Sequence, residues 1–123
     1  MRKIYYLKTC DTCKRILKQI KETVSDEIYQ SFEFQEIKSQ AITVKQLEEM
    51  YAFTKSYEAL FSKRAKRYKL LKDQQLTEND YKQLILEEYT FLKRPVIIID
   101  DEIFVGNSKK NVEKLIEKFI VFR

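Results

Sequence analysis

The 123 residues include 44% hydrophobic and 35% charged side chains with a net charge of +5, which suits one packed, soluble domain with a mild preference for anionic partners. With no histidine, one glycine and two cysteines, the chain excludes Ser-His-Asp and Cys-His catalysis, histidine-ligated metals, glycine-rich nucleotide loops and a four-thiolate zinc site closed within one chain. No run approaches the roughly 20 apolar residues that span a bilayer, and the start Met1–Lys8 is too short in apolar residues for a secretory signal.

The expected location is therefore the cytoplasm, without membrane association. In such a reducing compartment, two nearby cysteines point to catalysis or redox chemistry rather than to a structural bridge.

Ile4–Leu7 is a short apolar run bounded by lysines and is predicted as a buried strand. Cys13, Ile16, Leu17, Ile20 and Val24 then recur at helical spacing, with Lys14, Lys18, Lys21 and Glu22 opposite. This predicts an amphipathic helix starting near Asp11 or Thr12. Ile28–Ile37 alternates, with Phe32 and Phe34 on one face and Ser31, Glu33 and Gln35 on the other. A half-exposed second strand is expected there. Strand, helix and strand make a βαβ unit with parallel strands and a right-handed crossover.

The middle of the chain reads as helical. Thr43 and Gln46 form a capping-box pattern, Ile42 and Leu47 fit a hydrophobic staple, and Val44, Leu47 and Tyr51 share a face. Thr77 and Asp80 repeat the cap, with Leu76 and Tyr81 as the staple and Leu84 and Ile85 continuing the helix. Leu60–Leu71 between them is densely basic and has no periodicity that assigns it a form.

Val96–Ile99 is a continuous β-branched run, the pattern of a central strand buried on both faces. Asp100-Asp101-Glu102 predicts a turn and Ile103-Phe104-Val105 its antiparallel partner. After Gly106-Asn107, Ser108 can cap a last helix with Val112, Leu115, Ile116 and Phe119 as its core face. The expected organisation is a single domain over residues 1–123: β-α-β, a helical insert at about 43–91, then β-β-α.

The chemistry concentrates at Cys10-Asp11-Thr12-Cys13. Cys10 falls just before a helix, where unpaired backbone N–H groups and the macrodipole favour an anion, so its thiolate is stabilised. Lys14 and Arg15 add positive charge, and Asp11 opposes it. Cys10 is the expected attacking thiol and Cys13, one turn on, the resolving one. The blander reading is a pair of ordinary buried thiols, since Cys13 also lies on the apolar helix face. A CxxC at a βαβ turn favours redox chemistry. The lone proline, Pro95, opens the Val96–Ile99 strand, as a strand's first position permits. A cis Arg94–Pro95 bond would turn Arg94 toward the thiol, but spacing alone does not select it.

Together, Cys10-x-x-Cys13, Leu60-Phe61-Ser62-Lys63-Arg64, Leu92-Lys93-Arg94-Pro95-Val96-Ile97-Ile98 and Val105-Gly106 resemble the ArsC/Spx family of arsenate reductases and Spx regulators. The resemblance covers nearly the whole chain in matching order. It implies a thioredoxin-like three-layer α/β fold with a mixed four-stranded sheet and a helical insert. It further implies Cys10 as nucleophile toward a small oxyanion or thiol substrate, a cis proline at Pro95, and Arg94 and Arg64 as oxyanion ligands, with Lys14 nearby. Arginine suits that role because its planar fork matches a tetrahedral oxyanion.

No bound cofactor is expected, and glutathione with glutaredoxin, or thioredoxin, would be the electron donor. Two departures from the reductases stand out. Asn107 occupies the place of a further arginine, with Lys109 and Lys110 following, and Cys13 is a second cysteine that the reductases usually lack.

Three functions fit these residues. The first is a thiol-dependent reductase of arsenate or a related electrophile, with Cys13 or an external thiol as resolver. The second is an Spx-like regulator that binds the RNA polymerase α subunit under control of a Cys10–Cys13 disulfide. The third is a general thiol–disulfide oxidoreductase. The basic run Lys63, Arg64, Lys66, Arg67, Lys69 and Lys72 fits a solvated face, attraction of an anion to the thiol, or an acidic partner. No module for direct sequence-specific DNA reading is present.

Overall fold

In the computed structural model, which describes residues 1–122, the elements run β1 (Arg2–Tyr6), α1 (Asp11–Thr23), α2 (Asp26–Gln30), β2 (Glu33–Glu36), α3 (Val44–Thr54), α4 (Glu78–Glu87), β3 (Val96–Ile99), β4 (Glu102–Val105) and α5 (Lys109–Val121). Short 3₁₀ turns occupy Glu58–Leu60, Lys66–Leu70 and Tyr89–Phe91. The chain falls into two compact units, one of residues 1–37 with 94–123 and one of Lys38–Lys93.

The first unit is built on a mixed four-stranded sheet in the order β2-β1-β3-β4. β1 pairs parallel with β2 and antiparallel with β3, and β3 pairs antiparallel with β4. The βαβ unit and the hairpin both form as the sequence predicts. All four residues of β3 are 0% exposed, which explains why the strand is a continuous β-branched run rather than an alternating one. Ile4, Ile97, Ile99 and Phe104 turn toward one face, where Ile16 and Ile20 of α1 and Leu115 and Phe119 of α5 complete a core with Phe32. Val112 and Ile116 pack at its margin, half-buried. The hairpin turn is tight: Asp100 adopts φ 53, a conformation that aspartate tolerates better than most side chains, and Glu102 already belongs to β4.

The expected strand over Ile28–Ile37 is corrected. Ser25 accepts the Ile28 backbone N–H on its side chain and starts a single helical turn, so Ile28 and Tyr29 lie in α2 and the strand is only Glu33–Glu36. A local serine cap has outcompeted the alternating pattern. Gln35, assigned to the polar face, is 1% exposed, and Lys3 beside it is 5% exposed with its Nζ 2.8 Å from Glu33 Oε1.

The second unit, Lys38–Lys93, contains α3 and α4, and both capping boxes form. Thr43 accepts from Gln46 N while Gln46 accepts from Thr43 N, and Thr77 and Asp80 do the same. Leu47 and Met50 are buried, but Val44 is about half exposed and drops out of the predicted apolar face, because the first helical turn points it outward. Lys55, at φ 57, ends α3.

The basic stretch takes shape around Phe61. Its ring stacks on Phe91 at 4.8 Å and meets Tyr81 at 4.9 Å and Tyr68 at 5.7 Å. Ser62 N donates to Phe91 O at 2.6 Å, and Lys93 N donates to Leu60 O at 2.9 Å. Lys63 pairs with Glu58 at 2.6 Å and Arg67 with Glu88 at 2.7 Å, so these two cations bind the segment to its own unit.

Candidate active site

β1 ends at Tyr6, and Cys10 N donates back to Leu7 O at 3.1 Å, closing the turn that delivers Cys10 to the start of α1. Cys10 is the N-cap residue itself. Its backbone is extended (φ −90, ψ 111), its carbonyl accepts from Lys14 N at 3.1 Å, and its Sγ accepts from Cys13 N at 3.4 Å. The sulfur thus occupies the place that a serine or aspartate oxygen takes in an ordinary cap. The orphan N–H groups of the first turn face a thiolate directly.

Arg94 reaches the same sulfur from the far side of the sheet's amino-acid order. It lies two residues before β3, its bond to Pro95 is cis, and its guanidinium hydrogen-bonds Cys10. The cis bond that spacing alone did not select is therefore present. Partial burial pushes the Cys10 thiol up. The Cys13 backbone N–H, the Cys13 thiol and the hydrogen bond and charge of Arg94 together outweigh it, and the pKa lies below the ordinary thiol value.

Cys13 is the opposite case. It is 0% exposed on the core side of α1. Burial pushes its thiol up to about 12, a backbone hydrogen bond with Leu7 works against the shift, and the neighbouring Cys10 charge adds to it. Both cysteines are free thiols. One turn of chain thus holds a half-buried, acidic thiol and a fully buried, protonated one, an arrangement suited to one sulfur attacking and the other being held in reserve.

Of the residues singled out from sequence, the structure brings Cys10, Cys13 and Arg94 together. Lys14 is exposed on the first turn of α1. Arg64 belongs to the Lys38–Lys93 unit and is exposed there. Asn107 is half-buried between β4 and α5. Sequence reading missed Asn111, whose Nδ2 donates to Gly106 O at 2.8 Å beside the Arg94-Pro95 turn. Its signal was its place three residues after the Ser108 cap, but the pattern there reads only as a helix start. Among the described residues, no cluster of three or more His, Cys, Asp or Glu side chains could hold a metal ion. No helix among them is long and apolar enough to cross a membrane.

The model of the ArsC family matches residues 5–115, a span that runs from β1 through Cys10 and Arg94 into α5. The chain belongs to the ArsC family. The fold is accordingly thioredoxin-like, and the family's reductases are thiol-dependent, drawing electrons from thiol donors. Among solved structures, an arsenate reductase from Vibrio cholerae is 19% identical, with a TM-score of 0.68 over 94% of this chain and 95% of that one. An arsenate reductase (ArsC) related protein from Brucella melitensis is 20% identical, with a TM-score of 0.66 over 92% of each chain. A Staphylococcus aureus protein is 26% identical, with a TM-score of 0.68 over 93% of this chain and 97% of that one. No curated protein sequence matches the chain. For this ArsC-family chain, the first two likenesses concern the fold.

Proposed function

We propose that this protein is a single-domain ArsC-type thiol-dependent reductase in which the Cys10 thiolate is the nucleophile and a small oxyanion such as arsenate is the substrate. The observation that carries the reading is the Arg94 guanidinium on the Cys10 sulfur. A fork that stabilises the thiolate before reaction is placed to hold the equatorial oxygens of an anion that this sulfur attacks. Lys14 at the helix start is the further cation assigned to the anion.

In the first step the Cys10 thiolate forms an S–As bond and one arsenate oxygen leaves as water, taking up two protons. In the second step a thiolate attacks the Cys10 sulfur. The S–As electron pair then stays on arsenic, which leaves as As(III), while the two sulfurs become a disulfide. Cys13, held protonated by burial, is a poor attacker near neutral pH, which favours an external thiol such as glutathione as the first resolver. Glutaredoxin or thioredoxin would then return the enzyme to the dithiol state in the cytoplasm.

A regulatory reading rests on one specific observation: Cys13 stands a single helical turn from Cys10, as a disulfide switch requires. In that reading oxidation of the pair controls binding to the RNA polymerase α subunit, without turnover.

The test is arsenate-dependent NADPH oxidation coupled first to glutathione and glutaredoxin, then to thioredoxin, with Cys10→Ser alongside. Turnover that disappears in the variant supports the reductase. Absence of turnover from protein with a reactive Cys10 would overturn it. Redox-dependent capture of the polymerase α subunit would then support the regulator.

A further inference from the structure

We infer that Asn111, on the first turn of α5, is a positioning residue that fixes Arg94 against the Cys10 sulfur through Gly106 and Pro95. It resting on the Cys10–Arg94 pair, the inference deepens the proposed site, but it does not need arsenate to be the substrate.

The linkage is a short relay of bonds. Asn111 Nδ2 donates to Gly106 O at 2.8 Å, and Gly106 N donates to Pro95 O at 2.8 Å. Val96 is paired with Val105, so the Pro95–Gly106 bond extends the β3–β4 ladder by one step, next to Arg94. Gly106 is buried with φ 87, a left-handed conformation that glycine adopts freely, and a buried carbonyl there needs a donor. Asn111 supplies that donor.

The position is unusual for what the side chain does. Asn111 is the third residue of α5, and its own N–H goes to Ser108 Oγ at 3.2 Å. In a capping box a side chain here would accept from the cap's backbone, as Gln46 and Asp80 do at the starts of α3 and α4. Asn111 points its amide away from its own helix and into the turn that ends β4. The helix start is thereby tied to the strand end that carries Arg94. A guanidinium reaching a sulfur depends on sub-ångström placement of its backbone, so a loosened turn weakens the contact.

The test is the pH profile of Cys10 alkylation by iodoacetamide, which Cys13 does not obscure while it stays protonated. Removing the donor in Asn111→Ala, or in the similarly branched Asn111→Leu should Ala fold poorly, is expected to slow alkylation about three- to tenfold on the acid side of the profile, moving the whole profile to higher pH. The charges nearest Cys10 in sequence, Lys8, Asp11, Lys14 and Arg15, are unchanged in both variants.

Ser108→Ala removes the helix cap and keeps the Asn111–Gly106 bond, so it should lower thermal stability while leaving the profile as in the wild type. In an Arg94→Ala background, Asn111→Ala should add no further shift. An unmoved profile in the Asn111 variants, an equal shift in Ser108→Ala, or an undiminished shift without Arg94 would each overturn the assignment.

Discussion

Arg94 and Cys10 share a hydrogen bond although one lies just ahead of the third strand in the chain and the other closes the loop after the first. The antiparallel register of β1 with β3 sets Val96 beside Tyr5, so the residue before Pro95 and the turn after Tyr6 emerge at the same end of the sheet. The site is thus a product of strand pairing, with the sulfur and its cation supplied by adjacent central strands.

Removing that cation should make the thiol ordinary. Arg94→Ala is expected to raise the Cys10 pKa and slow alkylation near neutral pH about tenfold. Arg94→Lys should fall between the two, because a point charge retains attraction but loses the fork. Alkylation rates across pH measure both effects, and an Arg94→Ala profile identical to wild type would refute the role.

Cys13 predicts a pH dependence of stability in the alkaline range. Its folded value of about 12 exceeds the ordinary 9.0, so above pH 9 the folded protein holds a proton that the unfolded chain has released. Stability from this group is complete below pH 9 and declines as pH rises toward 12. Chemical denaturation at pH 8 and pH 10.5 should show a smaller loss for Cys13→Ala than for wild type.

The same thiol separates the two resolvers. Cys13→Ser should keep at least about a third of the glutathione-dependent turnover, since a mostly protonated thiol contributes little attack, whereas Cys10→Ser should have none. Loss of turnover in both variants would make Cys13 the resolver. Steady-state rates with glutathione and glutaredoxin decide between them.

Much of this was legible in the sequence because the signals were local. The β-branched run Val96–Ile99, the Thr43 and Thr77 boxes and the Ser108 cap each carry their whole explanation within a few residues. Cys10 at a helix start belongs with them. What could not be read depends on a competing local cap or on distant partners. Ile28 and Tyr29 alternate like a strand until Ser25 captures the Ile28 N–H. The Leu60–Leu71 stretch has no period because Phe61, Phe91 and the long-range pair Arg67–Glu88 shape it. Arg94 meets Cys10 only once β1 and β3 are in register, and Asn111 gains its partner only once β4 has ended.

Glu78 offers a test of the second unit by itself. Its carboxylate accepts from Tyr57 N at 2.6 Å and Glu58 N at 3.1 Å, closing the loop after α3 onto the start of α4. Glu78→Ala leaves two backbone donors without that acceptor and should reduce stability by about 1–2 kcal/mol. Faster amide exchange at Tyr57 and Glu58, with the β1–β3 amides unchanged, would locate the effect. Unchanged exchange at both amides would show that water replaces the carboxylate freely.

The strand order β2-β1-β3-β4 sets a timetable for synthesis. When a ribosome has released residues up to 93, β1 and β2 can pair, but the other side of β1 has no neighbour. A two-stranded ribbon is marginal in water. The nascent chain therefore waits through the whole of Lys38–Lys93 with an open edge beside Ile4, until the β3–β4 hairpin arrives to fill the centre. Arg94 comes out just ahead of that hairpin, so the cysteine is made early and is given its cation late.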